Sequence, residues 1–274
     1  MEIEIHDRLN ALAHPKRLDL FRLLMRRYPD SVAAGQIAEA LALKPNTAST
    51  YLNALKSAGL IQQSRSGTSL QYAANLPAVR GLFDELLGGC CQNRPDLCMQ
   101  PSDDPVMASP DRVMNALFLC TGNSARSIMA EAILNNEGNG LFRAYSAGTA
   151  PSDGPNSIVL ELLKQKDYDT TSLRSKSLEE FAAADAPKMD FVFTVCDHAA
   201  NEACPAWPGQ PISAHWGLPD PVKVEGTDAQ KQLAFQQAYG LLRNRITAFA
   251  SLPFETLDRI SLQHKVDDIG RMAE

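Results

Sequence analysis

An eight-residue run that begins with a cysteine and contains an arginine carries the clearest chemistry in the sequence. It reads Cys120-Thr121-Gly122-Asn123-Ser124-Ala125-Arg126-Ser127 and lies between a predicted strand and a predicted helix. We expect the backbone N–H groups of this loop to turn inward at the helix N-terminus, where they bind a tetrahedral oxyanion. Arg126 would bind two oxygens of that anion through its planar fork of donors. The predicted oxyanion-binding residues are Thr121, Gly122, Asn123, Ser124, Ala125, Arg126 and Ser127.

Cys120 is the predicted nucleophile of this run. The helix dipole and Arg126 are expected to lower the pKa of its thiol, which would make it a thiolate near neutral pH. Ser127 can donate a hydrogen bond to that thiolate, and the side-chain amide of Asn123 can fix the shape of the loop. The alternative is a buried structural cysteine with an unrelated arginine. The strand-to-helix position of the run favours the reactive cysteine.

The elements that must position this loop follow one another as strand and helix. Apolar runs predict strands over Asn115–Leu119, Phe142–Ser146, Asp190–Val195 and Ile212–Trp216. Helical spacing predicts helices over Ser127–Asn136, Ser157–Lys166, Asp228–Ala250 and Thr256–Met272. This alternation predicts an α/β fold, a parallel sheet flanked by helices.

The cysteine run resembles that of the low molecular weight phosphotyrosine phosphatases and of the arsenate reductases built on the same fold. The resemblance covers about residues 114–250. The run H-W-G-L-P-D-P at 215–221 looks like the loop that carries the acid of this family. The resemblance implies that Asp220 protonates the leaving oxygen. Glu131 and Ser146 match positions that are linked with a monovalent cation site in some members.

Cys196 and Cys204 look like the thiol relay of thioredoxin-linked arsenate reductases. That resemblance implies that Cys120 attacks arsenate, that Cys196 releases arsenite by forming a disulfide, and that Cys204 takes over this disulfide. An external thiol donor, either thioredoxin or glutathione with glutaredoxin, would then reduce it, with no tightly bound cofactor. The spacing from Cys196 to Cys204 is one residue longer than in that type, which leaves the donor open. The alternative is that Cys196 is a small buried hydrophobe and Cys204 a loop thiol.

The front of the chain has the pattern of a winged helix-turn-helix. Predicted helices cover His6–Ala13, Pro15–Tyr28, Gly35–Leu43 and Pro77–Leu87. The fourth helix in chain order follows a turn and cap at Lys44-Pro45-Asn46-Thr47 and runs through Lys56, and hairpin strands are predicted at Leu60–Gln63 and Ser69–Ala73. The fourth helix would enter the DNA major groove, and Arg65 at the hairpin tip would contact a phosphate. The predicted DNA-binding residues are Thr47, Ser49, Thr50, Tyr51, Asn53 and Arg65. The alternative is a helical bundle with an incidental polar helix.

The runs L-N-A-L-A-H-P-K-R-L-D-L-F-R-L-L and A-S-T-Y-L-N-A-L-K-S-A-G-L-I resemble the ArsR family of metal-sensing repressors over about residues 5–75. The resemblance implies a homodimer, held by its first and last helices, on palindromic operator DNA. The place of the C-x-C pair of many arsenic sensors holds no thiol here. Cys90, Cys91 and Cys98 instead form a predicted As(III) or Sb(III) site, because soft thiolates suit soft ions. Another soft metal, or ordinary exposed thiols, are the alternatives.

The composition divides the chain of 274 residues into two parts. We predict a DNA-binding and dimerisation domain over 1–91, a linker over 92–114, a reductase domain over 115–252 and a C-terminal helix over 253–274. The net charge is +2 over residues 1–89 and −8 over residues 90–274, which places the basic side chains toward the front. No apolar run approaches the roughly 18 residues of a membrane span. The acidic N-terminus lacks the pattern of a signal peptide, so a cytoplasmic protein is expected.

Together these features predict a bifunctional protein, an arsenic-responsive repressor and an arsenate reductase on one chain, with arsenite as the inducer. One alternative is a low molecular weight tyrosine phosphatase fused to a DNA-binding regulator. No tyrosine follows Asp220-Pro221 to stack on an aromatic substrate, which argues against this. A second alternative is a transcription factor whose back domain binds an oxyanion without turnover.

Overall fold

The computed structural model describes residues 4–90, 112–183, 185–202, 207 and 211–272. Its contacts divide the chain into two units, Met1–Pro105 and Val106–Glu274. Each unit has its own hydrophobic core. Within the described ranges, no helix combines the length and the apolar character that crossing a membrane requires.

The N-terminal unit combines helices with a small antiparallel sheet. Its helices are α1 (Ile5–Leu12), α2 (Pro15–Arg27), α3 (Ala34–Ala40), α4 (Pro45–Ser57) and α5 (Leu76–Glu85). Its strands are β1 (Val32–Ala33), β2 (Ile61–Ser66) and β3 (Ser69–Ala74), in the order β1-β3-β2. A π-helical turn, Leu86–Cys90, follows α5.

The predicted winged helix-turn-helix is confirmed, with α3 and α4 as the helix pair and β2–β3 as the wing. Proline occupies the first helical position of both α2 and α4. Its missing N–H costs no helical hydrogen bond there, because the first N–H groups of a helix have no partner within it. Leucines of both helices are fully buried in the same hydrophobic core. The wing departs from the prediction, because β2 continues to Ser66 and the turn is confined to Gly67 and Thr68. Arg65 therefore lies within a strand, opposite Leu70, and not in the turn.

The C-terminal unit is a parallel sheet covered by helices, as predicted. Its strands are β4 (Met114–Cys120), β5 (Phe142–Gly148), β6 (Phe191–Thr194) and β7 (Ile212–His215), in the order β5-β4-β6-β7. Its helices are α6 (Arg126–Glu137), α7 (Ser157–Lys164), α8 (Glu179–Ala182), α9 (Asp197–Asn201), α10 (Asp228–Ala250) and α11 (Arg259–Gly270). A 3-10 turn covers Pro221–Lys223.

Both faces of this sheet are buried, because side chains of β4 alternate between two apolar clusters. Phe118 belongs to the large cluster that includes residues of α6, α10 and α11, and Leu117 and Leu119 belong to a smaller cluster on the other face. Strand β4 begins at Met114, one residue inside the predicted linker. Leu262 of α11 is buried in the large cluster, so this helix is part of the domain that precedes it.

Parallel strands place their carboxyl ends at one edge of the sheet, and ligands bind at such edges in open α/β folds. Cys120 ends β4, and Gly148 ends β5. Cys196 follows β6 by two residues, and His215 ends β7. Cys120, Cys196 and His215 are thus brought to one edge of this sheet.

Candidate active site and candidate DNA interface

The loop from Cys120 to Ala125 is held with its carbonyl groups facing outward. The carbonyl oxygens of Cys120, Thr121, Gly122 and Ser124 accept hydrogen bonds from the N–H groups of Thr149, Ala150, Ser152 and Asn156, at 2.8–3.2 Å. In a trans peptide the N–H group points opposite to the carbonyl, so the N–H groups of the loop face its interior. This is the geometry of an anion cradle at the N-terminus of α6.

Gly148 makes this arrangement sterically possible. A Cβ at this position would lie 2.5 Å from the carbonyl oxygen of Thr121 and 3.0 Å from the Cβ of Asn123. Any side chain here would push the loop away from the end of β5. The close approach of backbone to backbone therefore requires glycine.

The sulfur of Cys120 lies inside a network of hydrogen bonds. Its Sγ is 2.9 Å from the Oγ of Ser127 and accepts a hydrogen bond from the N–H of Asn123 at 3.2 Å. The Asn123 side chain donates to the same Oγ at 2.8 Å, which leaves the hydroxyl proton of Ser127 for Cys120. Asn123 adopts a positive φ of 44°, a conformation that asparagine tolerates better than most residues.

The expectation of a lowered pKa for Cys120 is wrong for this structure. Burial raises the pKa of the Cys120 thiol above its ordinary value, and the hydrogen bonds from Ser127 and Asn123, which lower it, do not compensate. The neighbouring Cys196 raises it further. Arg126, which was expected to favour the thiolate, is paired with a carboxylate instead.

Arg126 joins the cysteine loop to the predicted acid loop. Its Nη2 donates to the Oδ2 of Asp220 at 2.7 Å, and its Nη1 donates to the carbonyl oxygen of Leu218 at 3.2 Å. The Oδ1 of Asp220 also accepts from the N–H of Val222, which caps the 3-10 turn. The structure thus brings Arg126 and Asp220 together, and an oxyanion bound by Arg126 would compete with the carboxylate.

A second thiol lies beside the loop. The Sγ of Cys196 is 3.5 Å from the Oγ1 of Thr121, the residue that follows Cys120. Cys196 precedes α9 and caps it, since its Sγ accepts from the N–H of Ala199 at 3.4 Å.

The loop is also supported by a buried ion pair that sequence reasoning missed. The N–H of Lys176 donates to the Oδ1 of Asn123 at 2.6 Å, and its ammonium donates to Glu131 at 2.8 Å. The Oγ of Ser146 donates to the same carboxylate at 2.5 Å. Glu131 and Ser146 are the two residues matched to a monovalent cation site, and here the Glu131 carboxylate accepts from both the Lys176 ammonium and the Ser146 hydroxyl. No motif marks Lys176 in the sequence, so only its hydrogen bond to Asn123 reveals its role.

His215 connects β7 to the segment that carries Cys196. Its Nδ1 lies 2.9 Å from the Oγ1 of Thr194, and its Nε2 lies 3.0 Å from the Oδ1 of Asp197. His215 opens the H-W-G-L-P-D-P run, but no motif in the sequence assigned its side chain to the site. Among the residues that the structure describes, no group of three potential ligands could hold a metal ion.

Three of the predicted functional cysteines, Cys91, Cys98 and Cys204, lie outside the described residues. Cys90, the remaining cysteine of the predicted arsenite site, is exposed at the end of the π-helical turn.

Three of the six predicted DNA-binding residues lie on the exposed side of α4. Ser49 and Asn53 are exposed, whereas Ala48, Leu52 and Leu55 are buried behind them. Thr50 is also exposed, but its Oγ1 donates to the carbonyl oxygen of Asn46. Thr47 is half-buried, and Tyr51 packs against the core and lies 4.9 Å from the ring of His14. Arg65 is exposed, and its Nε donates to the carbonyl oxygen of Gly67.

Comparisons with known proteins agree with this division. The low molecular weight phosphotyrosine protein phosphatase family matches residues 115–263, and a helix-turn-helix domain family matches residues 12–63. An arsenate reductase of Halalkalibacterium halodurans is 37% identical over 133 residues, which are 48% of this chain and 92% of that protein. An arsenate reductase of Bacillus subtilis is 34% identical over 133 residues, with the same coverage.

A solved homodimeric winged helix-turn-helix DNA-binding domain from Mycobacterium bovis, described as a possible ArsR-family regulator, is 32% identical to this chain. It aligns with a TM-score of 0.25 over 31% of this chain and 82% of that domain. The phosphatase family match covers more than half of the residues and contains the whole cysteine loop. The chain therefore belongs to the low molecular weight phosphotyrosine protein phosphatase family, with a helix-turn-helix domain ahead of the matched region.

Proposed function

We propose that the C-terminal domain reduces arsenate to arsenite by a relay of cysteine thiols. The observation that carries this proposal is the position of Cys196, whose sulfur lies 3.5 Å from the hydroxyl of Thr121 in the cysteine loop. Phosphate ester hydrolysis needs one nucleophilic cysteine and has no use for a second thiol at this place. The relatives named as arsenate reductases support the choice of substrate.

In the first step, the sulfur of Cys120 attacks arsenic in an arsenate held by the loop N–H groups and Arg126. A sulfur–arsenic bond forms, and one arsenic–oxygen bond breaks. The proton of the Cys120 thiol leaves with the departing hydroxide as water. Asp220 would carry that proton, and the contact of its carboxylate with Arg126 supports this role. The oxidation state of arsenic does not change in this step.

In the second step, the thiolate of Cys196 attacks the sulfur of Cys120. A disulfide between Cys120 and Cys196 forms, and the sulfur–arsenic bond breaks. The two electrons of that bond remain on arsenic, which leaves as As(III). The two cysteines supply these electrons and are oxidised to the disulfide.

In the third step, the thiolate of Cys204 attacks Cys196 and frees Cys120. An external dithiol or thiol, either thioredoxin or glutathione with glutaredoxin, then reduces the Cys196–Cys204 disulfide. Cys204 lies outside the described residues, so this step rests on the sequence alone.

The test is arsenite formation by the purified full chain with each donor system, compared between the wild type and Cys196→Ser. We expect turnover with one donor and none in the variant. Hydrolysis of p-nitrophenyl phosphate serves as the counter-assay. Hydrolysis that is unaffected by Cys196→Ser, with no arsenite in any system, would make the domain a phosphatase.

We further propose that the N-terminal domain represses transcription from operator DNA as a homodimer. The exposed polar side of α4 supports major-groove recognition, and the exposed wing supports contact with phosphates. Leu9 of α1 and Phe83 of α5 are 42% and 58% exposed, although both are large and apolar. These two helices pack together, since Arg8 lies beside Gly81. Their outer side is therefore suited to pairing with a second copy.

Arsenite is the proposed inducer, bound by Cys90, Cys91 and Cys98. Three thiolates suit the pyramidal coordination of As(III), and Cys90 is exposed close to the end of α5. Binding would favour a dimer state with lower affinity for DNA, to the extent that arsenite binds the two states differently. Operator release measured by fluorescence anisotropy tests this. Cys91→Ser should abolish release by arsenite, whereas unchanged release would contradict the site.

A further inference from the structure

His215 contacts two residues close to Cys196 in the chain, Thr194 before it and Asp197 after it. Its imidazole is nearly buried, with 5% of the side chain exposed. Nδ1 lies 2.9 Å from the hydroxyl of Thr194 on the neighbouring strand, and Nε2 lies 3.0 Å from the carboxylate of Asp197 at the start of α9. One ring thus contacts the chain on both sides of Cys196.

The two contacts constrain Cys196 to different degrees. Thr194 belongs to β6, which is already fixed by pairing with β4 and β7. Asp197 begins α9, a helix of only five residues whose N-cap is Cys196 itself. The direction of the Cys196 sulfur depends on where this short helix begins. The contact from Nε2 to Asp197 ties that start to the end of β7.

His215 is in turn held by close packing with the C-terminal helix. A Cβ at Gly270 of α11 would lie 2.6 Å from the carbonyl oxygen of His215 and 2.7 Å from the Trp216 ring. The indole N–H of Trp216 donates to the carbonyl oxygen of Val266 at 3.0 Å. Arg245 of α10 donates to the carbonyl oxygens of Trp216 and Gly217. The backbone that carries the imidazole is therefore fixed from the side of α11.

We propose that His215 is a positioning residue for Cys196, and that α11 holds His215 in place. Through Asp197, the imidazole keeps α9 where the Cys196 sulfur lies beside Thr121, the residue that follows Cys120. The proposal rests on the thiol relay proposed above. It assigns to the histidine and to the C-terminal helix a role in the second chemical step.

Two variants, His215→Asn and His215→Gln, each keep one of the two polar contacts of the ring. Asparagine places a polar atom near the position of Nδ1, and glutamine places one near Nε2. We expect the single-turnover rate of Cys120–Cys196 disulfide formation to fall about 10- to 100-fold in His215→Ala, because small misplacements of a reacting group have effects of this size. His215→Asn should behave like His215→Ala. His215→Gln should keep most of the rate, and KM for arsenate should stay unchanged in all three variants.

Alkylation of individual cysteines provides a readout that does not require arsenate reduction. Cys196 is 3% exposed, so a loosened α9 should let iodoacetamide modify it faster in His215→Ala, as measured by peptide mass spectrometry. The rate at Cys120 should change much less, because its largest constraint is its own burial and not Cys196. Faster alkylation at Cys196 together with slower disulfide formation would distinguish mispositioning from general unfolding. If the wild type makes no arsenite, the relay fails, and the alkylation pattern still tests the positioning.

A pair of glycine variants tests the part played by α11. Gly270→Ala should reproduce the effect of His215→Ala more weakly, because its methyl group must displace the helix from His215. Gly240→Ala in α10 is the matched control, since a Cβ there meets nothing within 4 Å. Equal alkylation of Cys196 in both variants would contradict the role of α11. An impaired His215→Gln, or a fully active His215→Ala, would overturn the proposal.

Discussion

At the scale of single residues, Cys120 begins an anion-binding loop, and its thiol is hard to ionise. Burial raises the pKa of its thiol, and the hydrogen bonds from Ser127 and Asn123 only partly oppose this. The ionised form, which is the reactive one, therefore appears at higher pH than in an exposed cysteine. This property leads to a prediction about its reactivity.

Without added oxyanion, alkylation of Cys120 should continue to accelerate with pH after a cysteine in a free peptide has reached its plateau. Ser127→Ala should move the profile to still higher pH, because the variant loses a hydrogen bond that lowers the pKa. The rate at Cys120, followed by mass spectrometry from pH 6 to pH 10.5, provides the measurement. A plateau at lower pH than in the peptide would show that the thiolate is stabilised instead.

Asp220→Asn should separate binding from chemistry. The variant loses the proton carrier, so the rate of arsenate reduction should fall about 10²- to 10³-fold. It also frees Arg126 from a charged partner at 2.7 Å and removes a negative charge near the anion. Arsenate and phosphate should therefore bind more tightly, as isothermal titration calorimetry can measure. Weaker binding by the variant would contradict competition between Asp220 and the oxyanion.

The C-x5-R spacing and the resemblance to the family's acid loop predicted Cys120, Arg126 and Asp220 as site residues, and the structure brings Arg126 and Asp220 into contact. The direction of the Cys120 pKa shift could not be predicted from these motifs, because its largest cause is the burial of the thiol in the folded domain. The role of Lys176 could not be predicted from the sequence either. It lies 45 residues from its ion-pair partner Glu131, and no local sequence pattern marks it.

At the scale of elements, the cysteine loop depends on a buried ion pair between α6 and the chain before α8. Lys176→Met would leave the carboxylate of Glu131 without its cation. The C-terminal domain should lose about 3–5 kcal/mol of stability, which is typical when one partner of a buried pair is removed. Arg174→Met is the matched control, because its pair with Glu180 is exposed and should contribute at most about 1 kcal/mol.

Urea unfolding followed by tryptophan fluorescence measures this difference in the full chain. Both tryptophans, Trp207 and Trp216, belong to the C-terminal unit, so the signal reports that domain alone. Similar losses in the two variants would mean that burial of the Lys176 pair does not matter.

Long elements were predictable, and short ones were not. Strand β4 and helix α10 have enough residues for their apolar pattern to repeat, and both were placed within a residue or two. Strand β1 has two residues, α8 has four and α9 has five, so none completes a repeat. The helix that Cys196 caps was missed for this reason.

At the scale of the whole molecule, one chain joins a domain suited to binding DNA with a domain suited to making the proposed inducer. Production of arsenite on the same chain would raise its concentration near Cys90, Cys91 and Cys98. Cys120→Ser tests this connection in the full chain. Arsenate with a thiol donor should release operator DNA from the wild type and not from the variant. Added arsenite should release DNA from both, and failure of arsenite on the variant would contradict separate sites.

The relay itself is tested most directly by one turnover of fully reduced protein with arsenate and no external donor. The wild type should form about one arsenite per chain, quantified after an acid quench, and lose two thiols as a disulfide. Cys196→Ser should retain arsenic on Cys120 and release no arsenite. Arsenite release from this variant at the wild-type rate would contradict the relay, because the second thiol of the two-electron reduction would then belong to a group other than Cys196.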